Sequence, residues 1–371
     1  MIVYYVSGHG FGHAVRTCDI LLSLTSRFPD TPVCVVSSVE SEFFQNRVPS
    51  PSLRHRRGQF DVGMVQLDSV RVDVEATYEQ VSKLYAREQE YIDAETRFLL
   101  STQARLVVSD IAAIPFQAAS AAHLPCIAVG NFAWDWIYTP FAKDHTGWQA
   151  LVERFEQGYR CADLLVRLPF AEPMKIFTRQ ADVALLARPG TPDRQKVAAC
   201  TGADPSKTWV LLSFSTLDLP QDAVARIGEQ TDIDFFTVLP LHWEMKNIHA
   251  VNREIISFAN TLASVDAVLT KPGYGILSEC LVNEKPMIYV DRDDFREYPI
   301  LEAAVKAHLR HAHIPAPDLY SGNLRPYISE AMSQPAPTAT LSNDGQDQVA
   351  DLLHRSWKDK LVTGPAGETR K

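Results

Sequence analysis

Short apolar runs alternate with longer amphipathic stretches along this chain of 371 residues, and the alternation restricts its fold more than any other feature. The first five runs are rich in Val, Ile and Tyr, which is typical of β-strands: Met1–Val6, Pro32–Ser37, Val62–Leu67, Leu106–Ser109 and Pro125–Val129. Several are apolar at consecutive positions, as strands buried on both faces must be. Strands that alternate with helices predict βαβ units and a parallel sheet.

A second series of strand-like runs follows the first, and its members are Trp209–Phe214, Phe235–Leu239, Ala267–Thr270 and Pro286–Val290. The stretch before this series contains Pro and Gly clusters that are typical of a linker. We therefore predict an α/β protein with two Rossmann-like, doubly wound parallel-sheet domains that face a central cleft. Ligands of open α/β sheets bind beyond the carboxyl ends of the strands, so the loops there are the first candidates for a site.

The predicted domain boundaries follow from the two series. They are 1–185 for an N-terminal Rossmann-like domain, 186–206 for the linker region, 207–340 for a second Rossmann-like domain and 341–371 for a C-terminal helix and flexible tail. The amphipathic stretch 74–100 predicts one or two helices within the first domain.

Charge and cysteine content exclude several classes of protein. Asp and Glu outnumber Lys and Arg by 45 to 36, and the resulting net charge of −9 argues against a general binder of nucleic acid or anionic membranes. No apolar run reaches the roughly 20 residues of a membrane span. The six cysteines form no CxxC pair, which predicts free thiols in a reducing cytoplasm. We interpret the basic run 54–57 as an exposed loop, with contact to a lipid or an anionic acceptor as the alternative.

The first predicted strand runs directly into a glycine-rich turn, Ser7-Gly8-His9-Gly10-Phe11-Gly12-His13, before a helix begins. A helix start offers free backbone N–H groups and a partial positive charge, which suit a phosphate. The glycine spacing is not the G-x-G-x-x-G of dinucleotide-binding folds. Binding of NAD is therefore disfavoured, although acidic residues lie near the end of the second strand.

Two histidines distinguish this turn from a simple phosphate loop. The positive end of a helix dipole opposes an imidazolium, so His13, at the helix start, is the better candidate for a neutral general base. Asp110 closes the strand 106–109 at the same predicted edge and is the candidate that orients the ring. The alternatives are that His9 and His13 only hydrogen-bond the turn and that Asp110 caps the next helix.

An aromatic loop, Gly130–Tyr138, follows the fifth predicted strand. Its Trp and Tyr side chains suit stacking on a sugar or an aglycone, and they equally suit packing in a core. Residue types alone do not decide between these two interpretations.

A second glycine turn, Lys271-Pro272-Gly273-Tyr274-Gly275, lies between a strand and a helix of the second series. Its helix start suits a diphosphate. Glu279 lies four residues beyond Gly275, so both face one side of the helix, and the carboxylate is placed to reach ribose hydroxyls. A solvated surface carboxylate is the alternative for Glu279.

Two further loops lie at the predicted carboxyl edge of the second domain. In the charged loop 291–299, Arg292 or Arg296 would offset diphosphate charge, and Glu297 would accept hydrogen bonds from sugar hydroxyls. A solvated loop is the alternative for each of these residues. The segment 213–216, which includes Ser215, offers hydroxyl and N–H groups to the same phosphate site.

Six segments occur in an order that is more specific than any single glycine loop: Ser7–Arg16, Val108–Asp110, Asn131–Tyr138, Val166–Pro169, Lys271–Glu279 and Arg292–Glu297. Together they resemble the GT-B glycosyltransferases, in the branch of the bacterial peptidoglycan N-acetylglucosaminyl transferase and plant natural-product glycosyltransferases. They resemble more closely the glycosyltransferase-like N-terminal half of plant L-arabinokinase. The chain departs from arabinokinase in having no G-x-x-x-x-G-K-[ST] kinase loop. It also has Lys271-Pro272-Gly273 where many relatives have a histidine and two glycines.

The resemblance implies a GT-B architecture with the acceptor on the N-terminal domain and the nucleotide sugar on the C-terminal domain. The family's catalytic histidine and its partner aspartate correspond to His13 and Asp110, its ribose-binding glutamate to Glu279 and its donor-sugar contact to Glu297. The implied donor-binding residues are Ser215, Gly273, Tyr274, Gly275, Glu279, Arg292, Arg296 and Glu297. The implied acceptor-binding residues are His9, Gly10, Phe11, Asn131, Trp134 and Asp135.

The implied activity is that of a cytoplasmic glycosyltransferase. It would transfer a sugar from a nucleotide sugar, with UDP as the expected nucleotide, to an acceptor hydroxyl, with inversion and without a metal or other cofactor. The alternatives are a non-catalytic sugar-nucleotide-binding or regulatory module and an NDP-sugar 2-epimerase of the same fold. Peripheral membrane contact, the acceptor and the oligomeric state stay open.

Overall fold

The computed structural model describes residues 1–9, 11–66, 72–292, 295–338 and 341–360, and its contacts divide the chain into two compact units. The first unit contains Met1–Val65, Asp73–Ala187 and the described residues from Ser342 to Lys360, and the second is built on Arg188–Leu341. Each unit has a parallel sheet with helices in the crossover connections. The predicted α/β class with two parallel sheets is confirmed.

The first unit contains a seven-stranded parallel sheet. Its strands are β1 (Ile2–Tyr5), β2 (Val33–Ser37), β3 (Leu53–Arg57), β4 (Leu106–Ser109), β5 (Cys126–Gly130), β6 (Leu164–Arg167) and β7 (Gln180–Asp182). Its helices before the second unit are α1 (Phe11–Arg27), α2 (Ser41–Arg47), α3 (Val74–Ala86), α4 (Glu88–Ser101), α5 (Ile114–Ala121), α6 (Trp134–Tyr138) and α7 (Thr146–Tyr159), with a 3₁₀ turn at Thr139–Ala142. The strand order β3-β2-β1-β4-β5-β6-β7 reverses between β1 and β4. The loops after β1 and β4 therefore meet where such sheets bind ligands.

The second unit repeats this plan with six parallel strands in the order β10-β9-β8-β11-β12-β13. They are β8 (Thr208–Ser213), β9 (Ile233–Val238), β10 (Ile248–Val251), β11 (Ala267–Thr270), β12 (Met287–Val290) and β13 (His311–Ile314). The helices are α8 (Arg194–Thr201), α9 (Gln221–Gly228), α10 (Phe258–Ser264), α11 (Tyr274–Val282), α12 (Tyr298–His308), α13 (Ala316–Tyr320) and α14 (Arg325–Ser333). The reversal here lies between β8 and β11, so the turns after these two strands are neighbours.

The third predicted strand is wrong, and the predicted series also lack β6, β7, β10 and β13. The run 62–66 forms no strand beyond a single bridge at Gln66, and Leu67 lies outside the described residues. The strand is instead the basic run that we interpreted as an exposed loop, and it pairs with β2. Arg56 forms an ion pair with the buried Glu95, and its guanidinium lies 3.8 Å from the centroid of the Phe98 ring. A sheet edge lets such a polar sequence form a strand, because one side of it faces water.

The last helix, α15 (Gly345–Asp359), returns to the first unit and packs on α1. Its apolar face joins the core of the first sheet through Val349, Ala350, Leu352 and Leu353, which are all buried. Full burial stabilises by about 1.5–3 kcal/mol for each Val or Leu side chain. None of the helices in the described ranges is long and apolar enough to cross a membrane.

Candidate active site

The glycine turn after β1 is held against the neighbouring loop of the sheet. A Cβ atom at Gly8 would lie 1.9 Å from the Ser38 hydroxyl oxygen, so a residue with a side chain fits only if Ser38 rotates away. The backbone N–H of His9 donates to the Ser7 hydroxyl over 3.2 Å. Gly10 and the side chain of Phe11 lie outside the described residues.

His13 and Asp110, which we paired from the sequence, are in hydrogen-bond contact in the structure. The Nδ1 atom of His13 lies 3.0 Å from Oδ2 of Asp110. The contact follows from the topology, because β1 pairs with β4 and the Asp110 N–H donates to the Tyr5 carbonyl oxygen over 2.8 Å. Asp110 is 1% exposed, whereas 11% of the His13 side chain reaches the surface.

Arg16 completes this pair, and we did not predict its role. It lies one helical turn beyond His13 on α1, and its Nη2 donates to Oδ1 of Asp110 and lies 3.0 Å from Nδ1 of His13. Its Nη1 donates to Oδ1 of Asn131 over 2.7 Å, and Asn131 in turn donates to the Pro169 carbonyl oxygen over 2.7 Å. The spacing of three residues between His13 and Arg16 on a predicted helix was the available signal.

The charges of Arg16 and His13 decide the ionisation of Asp110. Burial alone would raise the pKa of Asp110, but the charges and hydrogen bonds of Arg16 and His13 outweigh it and hold the pKa below its usual value. An ionised carboxylate only accepts hydrogen bonds, so we assign the Nδ1 proton of His13 to the bond with Asp110. Nη2 of Arg16 is itself only a donor, so with this tautomer its contact with Nδ1 is a close approach of charge and not a hydrogen bond. This tautomer leaves Nε2 of His13 unprotonated, as a general base requires.

A second buried carboxylate, Asp61, lies beside this pair and was also not predicted. It is 2% exposed and accepts hydrogen bonds from the Ser7 hydroxyl and, over 3.2 Å, from Nε1 of Trp134. Burial raises the pKa of Asp61, and the negative charge of Asp110 adds to the rise, whereas the hydrogen bonds and His13 oppose it. Asp61 follows β3, so the wrong position of the third predicted strand concealed it.

The aromatic side chains after β5 are mainly packed in the protein. Trp134 and Tyr138 are at most 2% exposed, and their rings stack with centroids 5.5 Å apart. The ring of Phe132 lies edge-on to His13 at 6.0 Å. Burial raises the pKa of the half-buried Asp135 to about 6, and acidic neighbours add to the rise. Acceptor binding by Asn131, Trp134 and Asp135 stays a prediction.

His9 is fixed from the far side by a glycine of the loop after β3. Gly63 has a φ of +75°, and a Cβ atom there would lie 2.0 Å from Cγ of His9. The His9 ring also lies edge-on to Trp134, with centroids 6.0 Å apart. Packing of the turn thus accounts for His9, and its contact with an acceptor stays a prediction.

The second glycine turn, between β11 and α11, is more open than the first. A Cβ atom at Gly275 would meet no other atom within 4 Å, and one at Gly273 would meet only Ile276 at 3.9 Å. The Thr270 hydroxyl donates to the Ser213 carbonyl oxygen over 2.9 Å, which joins the carboxyl ends of β11 and β8. The start of α11 therefore has free space on the face where a ligand of this fold class binds.

The other predicted donor-site residues lie at the same edge of the second sheet. Arg292 and Glu297, in the loop after β12, are each 4% exposed, so the solvated-loop alternative is wrong for these two. The Arg292 guanidinium lies 3.7 Å from the Phe295 ring centroid. Arg296, Tyr274 and Glu279 are half-buried, and Ser215 is exposed after β8. Within the described ranges, no group of three or more His, Cys, Asp or Glu side chains is arranged to hold a metal ion.

Comparison with known proteins finds one sequence relative and a set of solved structures with the same fold. No family model matches it. It is 30% identical over 346 residues to L-arabinokinase of Arabidopsis thaliana; the match covers 90% of this chain and 32% of that protein, so the chain spans about a third of its relative. The structure matches the glycosyltransferase of kitacinnamycin with a TM-score of 0.63 at 13% identity, covering 97% of this chain and 95% of the other. It matches Arabidopsis thaliana UGT89C1 complexed with UDP with a TM-score of 0.62 at 14% identity, covering 98% and 95%.

Proposed function

We propose that this chain, which has the fold of the GT-B glycosyltransferases, transfers a sugar from a UDP-sugar to an acceptor hydroxyl. The observation that carries the proposal is the contact between His13 and Asp110 at the β1–β4 reversal of the first sheet. The open glycine turn at the corresponding reversal of the second sheet supports it. The sequence relative, L-arabinokinase, and the glycosyltransferases among the structural neighbours of this chain also support a reaction on sugars.

The first unit supplies the base. Nε2 of His13 takes the proton from the acceptor hydroxyl as its oxygen attacks the anomeric carbon of the donor. Asp110 keeps the ring in the required tautomer and stabilises the imidazolium that forms. Direct displacement of the nucleotide by the acceptor oxygen inverts the anomeric centre.

The second unit binds the donor. Backbone N–H groups at the start of α11 and the helix dipole meet the negative charge of the departing diphosphate. Arg292 and Arg296 add positive charge, which removes the need for a metal ion in the proposed reaction. Glu279 binds the ribose, and Glu297 binds hydroxyls of the donor sugar. The UDP bound to the structural neighbour UGT89C1 supports UDP as the nucleotide.

A screen of nucleotides tests the proposal directly. The unfolding temperature of the purified protein is measured with UDP, GDP, ADP and dTDP and with UDP-sugars. A ligand at 100 times its Kd stabilises the native state by about 2.7 kcal/mol, and we expect UDP and one UDP-sugar to do so. No response to any nucleoside diphosphate would contradict the proposal.

Transfer is then measured by UDP release from the best donor with a panel of hydroxyl compounds. Binding without turnover for every acceptor would identify a sugar-nucleotide-binding module. Conversion of the donor to an isomer without any acceptor would identify an epimerase. A cytoplasmic location and independence of cofactors stay predictions.

A further inference from the structure

We propose that Arg16 is a positioning residue that orients Asp110 toward His13 and joins this pair to the loops after β5 and β6. This role rests on the proposed function, since it matters only if His13 acts as a base. It is carried by three contacts of one guanidinium, with Asp110, His13 and Asn131.

The guanidinium is fixed from two directions. Its Nη2 donates to Asp110, and its Nη1 donates to Asn131 over 2.7 Å. The Asn131 amide is itself anchored, because its Nδ2 donates to the carbonyl oxygen of Pro169 after β6. A planar guanidinium with two such partners has little freedom to rotate, and its side chain is only 14% exposed.

Arg16 thereby divides the two oxygens of Asp110 between two partners. Oδ1 accepts from Arg16, and Oδ2 faces Nδ1 of His13 at 3.0 Å. Without Arg16 the carboxylate is free to turn about its χ2 bond, and the direction of Oδ2 is no longer set. The orientation of the imidazole is then lost as well, and displacement of a catalytic group by about 1 Å costs on the order of 100-fold in rate.

Arg16 also determines the pH range in which the pair functions. The charges that lower the pKa of Asp110 are those of Arg16 and His13 on α1. Tyr4 on β1 and Asp61 after β3 also face this carboxylate, and its negative charge raises the pKa of each. If the Arg16 charge is removed, its lowering effect is lost and the pKa of Asp110 rises. Asp110 is then protonated at a higher pH, and the acid limb of the rate profile moves upward.

Two variants and one control test this role. Arg16→Gln removes the charge and most of the donors, and Arg16→Lys keeps the charge with a single ammonium that cannot replace both contacts. Arg27→Gln is the control, because Arg27 lies on the same helix and forms an exposed ion pair with Asp351. We expect Arg16→Gln to lower kcat by about 100-fold with an unchanged KM for the donor. Arg16→Lys should lower kcat by a smaller factor and should keep the acid limb of the rate profile near that of the wild type. Arg27→Gln should match the wild type in kcat and in pH profile.

Imidazole ¹⁵N NMR provides a readout that is independent of turnover. We expect the wild type and Arg16→Lys to carry the neutral proton of His13 on Nδ1 and Arg16→Gln to populate both tautomers. A proton on Nε2 in the wild type, or an unchanged kcat and pH profile in Arg16→Gln, would overturn the role of Arg16. If the wild type neither binds UDP nor turns over, the proposed function fails, and the NMR result still decides whether Arg16 positions the pair.

Discussion

The two glycine turns, 7–13 and 271–275, resemble each other as sequence and differ in what surrounds their glycines. In the first, Gly8 lies against Ser38, the turn is bonded to Asp61 through Ser7, and His9 packs against Gly63. In the second, Gly273 and Gly275 have almost no neighbours where a side chain would be. Close packing therefore requires a glycine at position 8 of the first turn, whereas Gly12 and both glycines of the second turn have open space where a side chain would be.

The two turns also differ in the polar groups that they carry. The first turn ends in His13, whose Nδ1 atom contacts two charged side chains, Asp110 and Arg16. The second holds no histidine or carboxylate in its own five residues, and its polar groups there are a lysine, a tyrosine hydroxyl and backbone. We infer that the first turn performs the proton transfer and that the second binds an anion, and the following predictions separate these two tasks.

The largest effect is expected from His13→Ala. Loss of the base should lower kcat on the order of 100-fold or more, while the affinity for UDP stays the same, because no step of UDP binding uses the imidazole. Transfer rates and calorimetric UDP titration measure the two quantities. His123→Asn is the matched control, since His123 is exposed at a φ of +54° that Asn tolerates. Wild-type transfer by His13→Ala would refute the assignment of the base.

A smaller effect, on UDP binding instead of turnover, is expected from Gly275→Ala. The added methyl group meets no protein atom within 4 Å, so the fold should be unharmed, but it occupies space beside the proposed diphosphate. We expect the affinity for UDP to fall about tenfold, which corresponds to ~1.4 kcal/mol. Gly12→Ala, whose methyl group also meets nothing within 4 Å, should leave the UDP affinity unchanged. Equal UDP affinity in the wild type and Gly275→Ala would contradict binding of the diphosphate at this turn.

The smallest effect concerns Asp61, which bonds to the first turn. The pKa of Asp61 is raised in the folded protein above the unfolded value of about 3.9. Between these two pKa values the native state holds a proton that the unfolded state has lost. The free energy of unfolding therefore falls as the pH rises through this range. Asp61→Asn should remove this pH dependence of the free energy of unfolding, which urea denaturation at several pH values measures. Asp110→Asn should act with the opposite sign, because the pKa of Asp110 is lowered and its stabilisation is lost as the pH falls. Parallel pH dependences of the wild type and Asp61→Asn would contradict this account.

The central strands could be predicted from the sequence because burial on both faces makes them continuously apolar. The strands β1, β4, β8 and β11 are of this kind, and the residues that follow them include His13, Asp110 and Gly273. Edge strands have no such pattern, since one side of each faces water or a polar partner. The predicted strands therefore omit the edge strands β3, with four of its five residues basic, the polar β7, β10 and β13. They also omit β6, which is interior and apolar, so the edge position does not explain that omission.

The contacts around the His13–Asp110 pair were less accessible to prediction. Arg16 was visible within the motif, but its contact with Asn131 joins residues 115 positions apart and depends on the strand order. Asp61 follows a strand that the pattern placed elsewhere. The aromatic loop could not be resolved either, because Trp134 has the same residue type whether it lines a pocket or fills a core, and only the fold shows that it is buried.

The return of α15 to α1 makes the first unit dependent on a helix that is synthesised after the second unit. Until residues 345–359 leave the ribosome, the apolar surface of α1 that they cover stays exposed to water, while the second unit already has all of its strands. The order of completion during translation is thus the reverse of the order of synthesis, and a nascent chain halted before residue 345 is a natural substrate for chaperones. Separate expression of the two units would therefore require α15 to be joined to the first unit.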